Sequence, residues 1–431
     1  MSTSLYIGID FGTSGARAIA ITPDTQIQAQ ASVQFNAQTT EAWRMGLCEL
    51  LDQIPQDLRR HIKAIAINGT SSTVLICDEQ GHPLDGPILY NDGRGVAVME
   101  QVRAIAPPNH TVLSPTSSLA KLLWCGRRQE GRRKGEAPAP TISEKFTAKH
   151  YFLHQADWLG FLLHGQLGVS DYHNALKLGY DVGNLCYPDW MQQESIPFQL
   201  PQIVAPGTVI GTVTEAIATQ FDIPPDCLVC AGTTDSIAAF LASGAQFPGE
   251  AVTSLGSTLV VKLLSKTRVD DVRYGIYSHR LGDLWLVGGA SNTGGAILSQ
   301  FFTDPELQRL SQQVPFDQES PLDYYPLLKP GERFPINDPN LQPRLDPRPD
   351  DPVEFLHGLL ESIARIEAKG YQLLQELGAT PLIRVYSAGG GAKNETWRQM
   401  RSRHLKVPVE RSAQTEAAYG TALLASHFGS G

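Results

Sequence analysis

Cysteine is scarce, and the six present, at positions 48, 77, 125, 186, 227 and 230, are scattered along 431 residues. That excludes the dense disulfide framework of small secreted scaffolds and fits reduced thiols. Cys227 and Cys230 form one C-x-x-C with no second pair nearby, at the start of the apolar run Leu228, Val229, Cys230 and Ala231; buried structural thiols fit better than zinc or redox chemistry. No apolar run approaches the ~20 residues needed to span a bilayer, and the N-terminus lacks the basic-then-apolar order of a secretory leader. A cytoplasmic location without a membrane partner is expected. Positive charge is also in short supply: the net charge of -9 speaks against nucleic acid as the main partner, because neutralising phosphates takes a concentrated basic face. The one basic cluster, Arg127, Arg128, Arg132, Arg133 and Lys134, is broken by Glu130 and Gly131 and reads as a solvated loop. His150 and His154 have the spacing of helix metal ligands, but the glutamate of H-E-x-x-H is missing. The phosphate-loop signature G-x-x-x-x-G-K-[ST] is absent as well.

What is present is a folded globular composition, 42% hydrophobic and 18% charged, on a chain longer than one core usually serves. Two domains are expected, residues 1–247 and 248–431, with a cleft between them. The chain opens with an apolar run, Leu5 to Ile9, breaks at Asp10, Phe11, Gly12, Thr13, Ser14 and Gly15, and resumes an apolar run at Ala16. Two strands and a tight turn are predicted, with a carboxylate, hydroxyls and backbone N–H groups at the tip. A second polar tip, Asn68, Gly69, Thr70, Ser71, Ser72 and Thr73, lies between the apolar runs 64–67 and 74–77. Residues 148–164 read as one amphipathic helix. Residues 228–243 combine a strand, the turn Gly232, Thr233, Thr234, Asp235 and Ser236, and a helix start. Residues 251–263 repeat the opening idea around Gly256, Ser257 and Thr258. Residues 315–352, rich in proline and aspartate, read as long surface excursions. The segment 353–377, closed by Gly378, is the longest predicted helix. A strand at 383–386, a glycine run at 389–391, and helices at 394–404 and 415–428 complete the chain.

The tips share one chemistry. Exposed amides at helix starts favour anions, glycine admits close approach, and a carboxylate can hold Mg²⁺ directly or through water. In phosphoryl transfer a further carboxylate accepts the proton of the attacking hydroxyl. Asp235, beside Gly232 and Thr233 at a helix start, suits that role better than simple capping.

The runs from Gly8 to Ser14, Ala231 to Ser236, Leu255 to Thr258 and Ser387 to Asn394 resemble, in order, the nucleotide-site motifs of the FGGY carbohydrate kinases. Asp157, Trp158 and Leu159, and Asn91, Asp92, Gly93 and Arg94, are similar to that family's first-domain landmarks. The resemblance implies two RNase H-like α/β domains of the actin and hexokinase superfamily with a catalytic cleft between them, ATP and Mg²⁺ as cofactors and a small sugar as substrate. It places Asp235 as catalytic base, Asp10 and Asp235 at the metal, and Asp10, Gly12, Thr13 and Ser14 at the phosphates. Gly256, Ser257 and Thr258 would contact phosphate from the second domain. Gly390, Gly391, Asn394 and Trp397 would line the adenosine pocket, with Asn394 on the purine edge and Trp397 either on the base or packed in its helix. Asp10, Ser71, Ser72, Asp235 and Ser236 would meet the sugar. Xylulose kinases carry Gly-Gln-Met-His-Gly where this chain has the Asn68 to Thr73 tip, and the chain resembles more the compact ribulose-kinase-like branch of photosynthetic organisms. D-ribulose is therefore the expected acceptor, with D-xylulose, glycerol or another polyol as alternatives and a nucleotide-gated regulatory protein as the non-enzymatic one. Oligomeric state is left open.

Overall fold

The computed structural model describes residues 4–133, 150–192, 196 and 198–428. Two compact units result, Met1–Ala242 with Glu416–Gly431, and Ser243–Thr415. The C-terminal helix, Ala417–Phe428, packs with the first unit.

In the first unit, β1 (Leu5–Phe11), β2 (Gly15–Ile21) and β3 (Ile27–Gln34) form an antiparallel meander. On its other side β1 pairs in parallel with β4 (Ile62–Gly69). Beyond β5 (Val209–Thr212), β6 (Leu228–Thr234) runs parallel to β4 and closes the six-stranded order β3-β2-β1-β4-β6-β5. β1 is apolar nearly throughout because both faces of the sheet are covered, and its period of two sorts the residues. Ile7, Ile9 and Phe11 join Trp43, Leu47, Leu50 and Leu51 of helix α1 (Thr40–Gln53) on one face. Tyr6 lies on the other, with Ala64 and Ala66 of β4 against Ala418, Ala422 and Ala425 of the C-terminal helix. The alternation therefore puts Asp10 and Asn68, at the strand ends, on the face of the C-terminal helix. Gly8 is there because that helix touches the strand backbone: a Cβ would lie 2.1 Å from the carbonyl oxygen of Ala418.

Two local expectations change, and a third holds. Residues 150–164 do not form one helix. Tyr151–His154 is a strand paired with Val74–Cys77, and only then does the helix Gln155–His164 begin. His154 is its N-cap, with its backbone N–H and ring Nδ1 on Asp157 at 2.8 and 3.0 Å, so His150 and His154 are not helix neighbours. Arg127, Arg128, Arg132 and Arg133 belong to helix α2 (Ser118–Arg133) rather than to a loop; Lys134 lies outside the described residues. Cys227 and Cys230 are buried free thiols, and burial pushes both above the ordinary thiol range.

The second unit repeats the plan. Its sheet contains β7 (Glu250–Leu255), β8 (Leu259–Ser265), β9 (Tyr277–Leu281), β10 (Leu284–Ser291), β11 (Arg384–Ala388) and β12 (Val409–Arg411) in the order β9-β10-β8-β7-β11-β12, with β7 parallel to β11. Helix α3 (Pro352–Glu376) starts at the N-cap Asp351 with proline in its first turn, and buries Phe355, Leu356, Leu359, Leu360 and Ile363. Residues 315–351, expected as surface excursions, carry no strand or helix yet bury Tyr324, Tyr325, Leu327 and Phe334. Arg365 of α3 holds this cover by donating to the carbonyl oxygens of Ser320 and Leu322 at 2.6 and 3.0 Å.

Candidate active site

The parallel pairing of the first unit turns sequence distance into adjacency. Asp10 is opposite Asn68, Asn68 opposite Thr233, and Gly69 opposite Thr234. Thr234 hands over directly to helix α4 (Asp235–Ala242), so Asp235 opens a helix at the same sheet edge as Asp10. The close approach of β6 to β4 demands a glycine: a Cβ on Gly232 would lie 1.7 Å from the carbonyl oxygen of Ile67.

The electrostatics mark Asp10. Burial raises its carboxyl to about 7, helped by the negative charges of Asp235 and Glu416, while Arg17 and the Asn68 side chain pull it back. Its Oδ1 is buried and has no hydrogen-bond partner. Arg17, opposite Asp10 on β2, is tied to Glu416 by an exposed ion pair. Asp235 accepts the backbone N–H of Ser236 at 2.7 Å. The β1–β2 turn is closed by Gly12 N–H donating to the Gly15 carbonyl at 2.9 Å, which leaves the side chains of Thr13 and Ser14 exposed at its tip.

The Asn68 to Thr73 tip is more buried than a turn usually is. Gln155 Oε1 accepts both the N–H and the hydroxyl of Thr70 at 3.0 Å, and Thr70 and Thr73 share a 2.6 Å hydroxyl contact. Asn68 Nδ2 donates to Thr421 at 2.6 Å. Ser71 is half-buried. Ser72 is 2% exposed, has a backbone φ of 64°, and its hydroxyl has no partner. Asn68 Oδ1, Gln155 Nε2 and Thr234 Oγ1 are likewise buried and unpartnered. Such atoms are rare in folded proteins, and a set at one sheet edge is what a polar ligand would satisfy. His173 Nδ1 lies 2.7 Å from Thr233 Oγ1, and His173 is held in place by its backbone N–H on the buried cap Asp171.

In the second unit the tips after β7 and β11 are neighbours. Gly389 has a φ of 82°, and a Cβ there would lie 2.7 Å from the Leu255 carbonyl oxygen, so only glycine suits both conformation and contact. Ser257 and Thr258 expose their side chains at the first tip, beside Gly256, and Gly390 has open space where a Cβ would be. Gly391, by contrast, makes room for Trp397, whose ring lies 2.7 Å from its would-be Cβ. Trp397 is 1% exposed and donates its ring N–H to the Leu360 carbonyl at 3.1 Å, which places it in the core. Asn394 caps helix α5 (Glu395–Leu405): Oδ1 accepts the Trp397 N–H at 3.0 Å and Nδ2 donates to Ser311 at 2.8 Å. Both ends of its amide are engaged within the protein.

Four features escape a reading of the sequence. Asn68 and Gln155 look like ordinary loop and helix residues. Lys121 lies in an apolar stretch of α2 and is fully buried. Arg401 and Glu367 form a buried ion pair at 2.6 Å, with Arg401 also donating to Ser387 at 2.5 Å and Thr253 to Glu367 at 2.5 Å. Thr253 and Ser387 precede the two second-unit tips, so this network fixes both. None of these carries a local motif.

Among the described residues no three His, Cys, Asp or Glu side chains converge as a metal site, and no helix is long and apolar enough to cross a membrane. The chain is 24% identical over 422 residues to the xylulose kinase of Escherichia coli, covering 92% of this chain and 84% of that one. A solved xyloylose kinase from Brucella ovis superposes with a TM-score of 0.82 at 20% identity, covering 99% of this chain and 90% of the other. Plasmodium falciparum glycerol kinase with ADP gives 0.81 at 17% identity, covering 99% and 90%. These likenesses show the two-domain actin- and hexokinase-like fold. Residues 5–242 match the N-terminal domain, and residues 251–428 the C-terminal domain, of the FGGY carbohydrate kinases, and the chain belongs to that family.

Proposed function

We propose that this carbohydrate kinase transfers the γ-phosphoryl group of ATP to the terminal hydroxyl of a ketopentose. The observation that carries the reading is the pair of carboxylates, Asp10 and Asp235, coupled at one sheet edge beside a cluster of buried, unpartnered polar atoms. Asp235 accepts the proton of the attacking hydroxyl, and Ser236 N–H orients its carboxylate. Asp10 suits a divalent cation: its Oδ1 is free of hydrogen bonds, and its charge is opposed by Asp235 and Glu416. When bound, Mg²⁺ neutralises charge on the transferring phosphoryl group. Asp10, with Asp235 at the same sheet edge, would hold the cation. Thr13 and Ser14 offer hydroxyls and backbone N–H groups to the phosphates, and the tip of Ser257 and Thr258 in the second unit carries groups of the same kind. The ADP of the glycerol kinase neighbour supports the nucleotide. The placements of Asn394 and Trp397 favour a shaping role near the Gly390 turn over contact with the base.

For the acceptor, the named relatives favour D-xylulose. A second reading, D-ribulose, rests on the Ser72 hydroxyl: a small buried group in the loop where xylulose kinases have histidine. The two sugars differ in one hydroxyl's orientation, and an unmade buried hydrogen bond costs about 1–3 kcal/mol, or roughly ten- to hundredfold in selectivity. Coupled ADP release with D-xylulose, D-ribulose, gluconate and glycerol tests both readings. No sugar-stimulated turnover would refute the kinase proposal; the higher kcat/KM identifies the acceptor. Asp235→Ala is expected to lower kcat by about 10²- to 10⁴-fold while ADP binding, followed by calorimetry, persists. Unchanged turnover would remove Asp235 from its role.

A further inference from the structure

Lys121 is a charged residue in an apolar stripe. On α2 it follows Leu119 and Ala120 and precedes Leu122 and Leu123, all buried, and its own exposure is 0%. An ammonium has three protons to place, and burial without acceptors is costly. Lys121 Nζ finds them on backbone carbonyls: Ser72 and Leu89, each at 2.7 Å, and Tyr90 at 3.5 Å. It therefore clamps two separate stretches of chain, the Asn68 to Thr73 tip and the turn that leads to Asp92. A second tie between them is the Tyr90 N–H, which donates to Thr73 Oγ1 at 3.0 Å.

Among the described residues no carboxylate is within hydrogen-bond reach of this ammonium, and burial draws its pKa down to about 8, with Asp92 opposing the shift and Lys177 and Arg94 adding to it. A core position with nothing to hold would favour leucine or methionine there. What the lysine holds is unusual. Ser72 has a φ of 64°, a left-handed conformation uncommon for a non-glycine residue, and its side-chain oxygen is buried without a partner. The carbonyl of that strained residue is the one Lys121 binds. Backbone strain of this sort persists only where the surroundings over-determine it.

We infer that Lys121 is a positioning residue for the acceptor sugar: by gripping the Ser72 and Leu89 carbonyls it fixes the loop in the conformation that presents the Ser72 hydroxyl. This rests on the proposal that the Asn68 to Thr73 loop meets the sugar. Lys121 itself touches neither sugar nor nucleotide, and its effect passes through Ser72.

The test compares wild type, Lys121→Met, Ser72→Ala and the double variant by steady-state kinetics, with the best sugar of the panel and ATP varied independently. Lys121→Met keeps the length of the stem and removes the donors. It is expected to raise the sugar KM by about tenfold or more and leave the ATP KM within about twofold. Because it acts through Ser72, the double variant should lose little beyond Lys121→Met alone. A core residue with no positioning role would leave the sugar KM unchanged, or shift both KM values together through general loss of structure; either result overturns the inference, as do fully additive losses. Should Lys121→Met not fold, Lys121→Arg keeps the charge but replaces a point donor with a planar fork. The same rise in sugar KM alone supports the proposal, and a wild-type sugar KM refutes it. If wild type itself phosphorylates no sugar, the underlying reading has failed rather than the clamp, and the wild-type arm alone shows it.

Discussion

Asp10→Asn is expected to make the protein more stable and less active. The wild-type carboxyl rises from 3.8 to about 7, first through burial and then through repulsion by Asp235 and Glu416. At about 1.4 kcal/mol per pH unit, holding that group ionised in the folded state opposes folding by about 4 kcal/mol, less whatever the site gains by relaxing. The sign follows from the direction of the shift. Below the unfolded value near 3.8 the carboxyl is protonated in both states and costs nothing. As pH rises toward 7 the unfolded chain loses its proton first, and stability falls until the folded carboxyl also ionises. Asparagine has the shape of the protonated acid and never ionises. In chelated, metal-free buffer, the melting temperature of Asp10→Asn should exceed that of wild type by several degrees at pH 8, and the gap should narrow as pH falls below 7 and close near pH 4. Added Mg²⁺ should stabilise wild type more than the variant, and sugar phosphorylation should drop sharply in the variant. Differential scanning calorimetry across pH supplies the first readout. A melting temperature at pH 8 no higher than wild type, or a gap independent of pH, would refute the argument that Asp10 is held at a cost to stability for function.

Arg401→Met leaves the carboxylate of Glu367 buried without its partner, so a loss of about 3–5 kcal/mol is expected in urea melts; a loss under about 1 kcal/mol would show the pair to be dispensable. Asn394→Ala removes the cap on the Trp397 N–H and should cost about 1 kcal/mol of stability while the ATP KM changes little. A large rise in that KM at unchanged stability would instead put Asn394 on the nucleotide. Gly8→Ala sets a methyl group against the backbone of the C-terminal helix, and soluble, active protein at wild-type melting temperature would contradict that contact.

The parts of the site legible in the sequence are those whose signal is local. A strand, a Gly-Thr-Ser turn and a second strand can be read from a dozen residues, and the turns after β1, β4 and β7 stand where the pattern puts them. The turn read at residues 232–236 does not form: the strand continues to Thr234 and the helix starts at Asp235. The failures have long-range causes. Residues 151–154 carry apolar side chains at spacings that a helix would also bury, and only pairing with Val74–Cys77 makes them a strand. The buried tyrosines of residues 315–351 are hidden by the prolines and aspartates around them, because the period that marks an element is absent while burial comes from α3. Lys121 gives no signal at all. Its meaning lies in two carbonyls 49 and 32 residues away in the chain.

How the edge that carries Asp10 and Asp235 is held follows from the same long-range packing. Asp10, Asn68 and Asp235 come from three strands' ends, and their spacing depends on how closely those strands and the C-terminal helix approach. That approach is set by glycines where a side chain would collide with backbone: Gly8 with Ala418, Gly232 with Ile67, and Gly420 with Ala238. The alanines of the C-terminal helix continue the fit, since small side chains let a helix lie low on a sheet. A consequence is that Glu416, at the foot of this helix, comes near enough to Asp10 to raise its pKa, and Thr421 near enough to take the Asn68 amide. The last residues of the first unit thus set the charge and the geometry around its tenth. At this edge the groups proposed for the chemistry and the residues that carry the packing are separate: hydroxyls and carboxylates stand at the strand ends, and glycine and alanine behind them fix the distances between them.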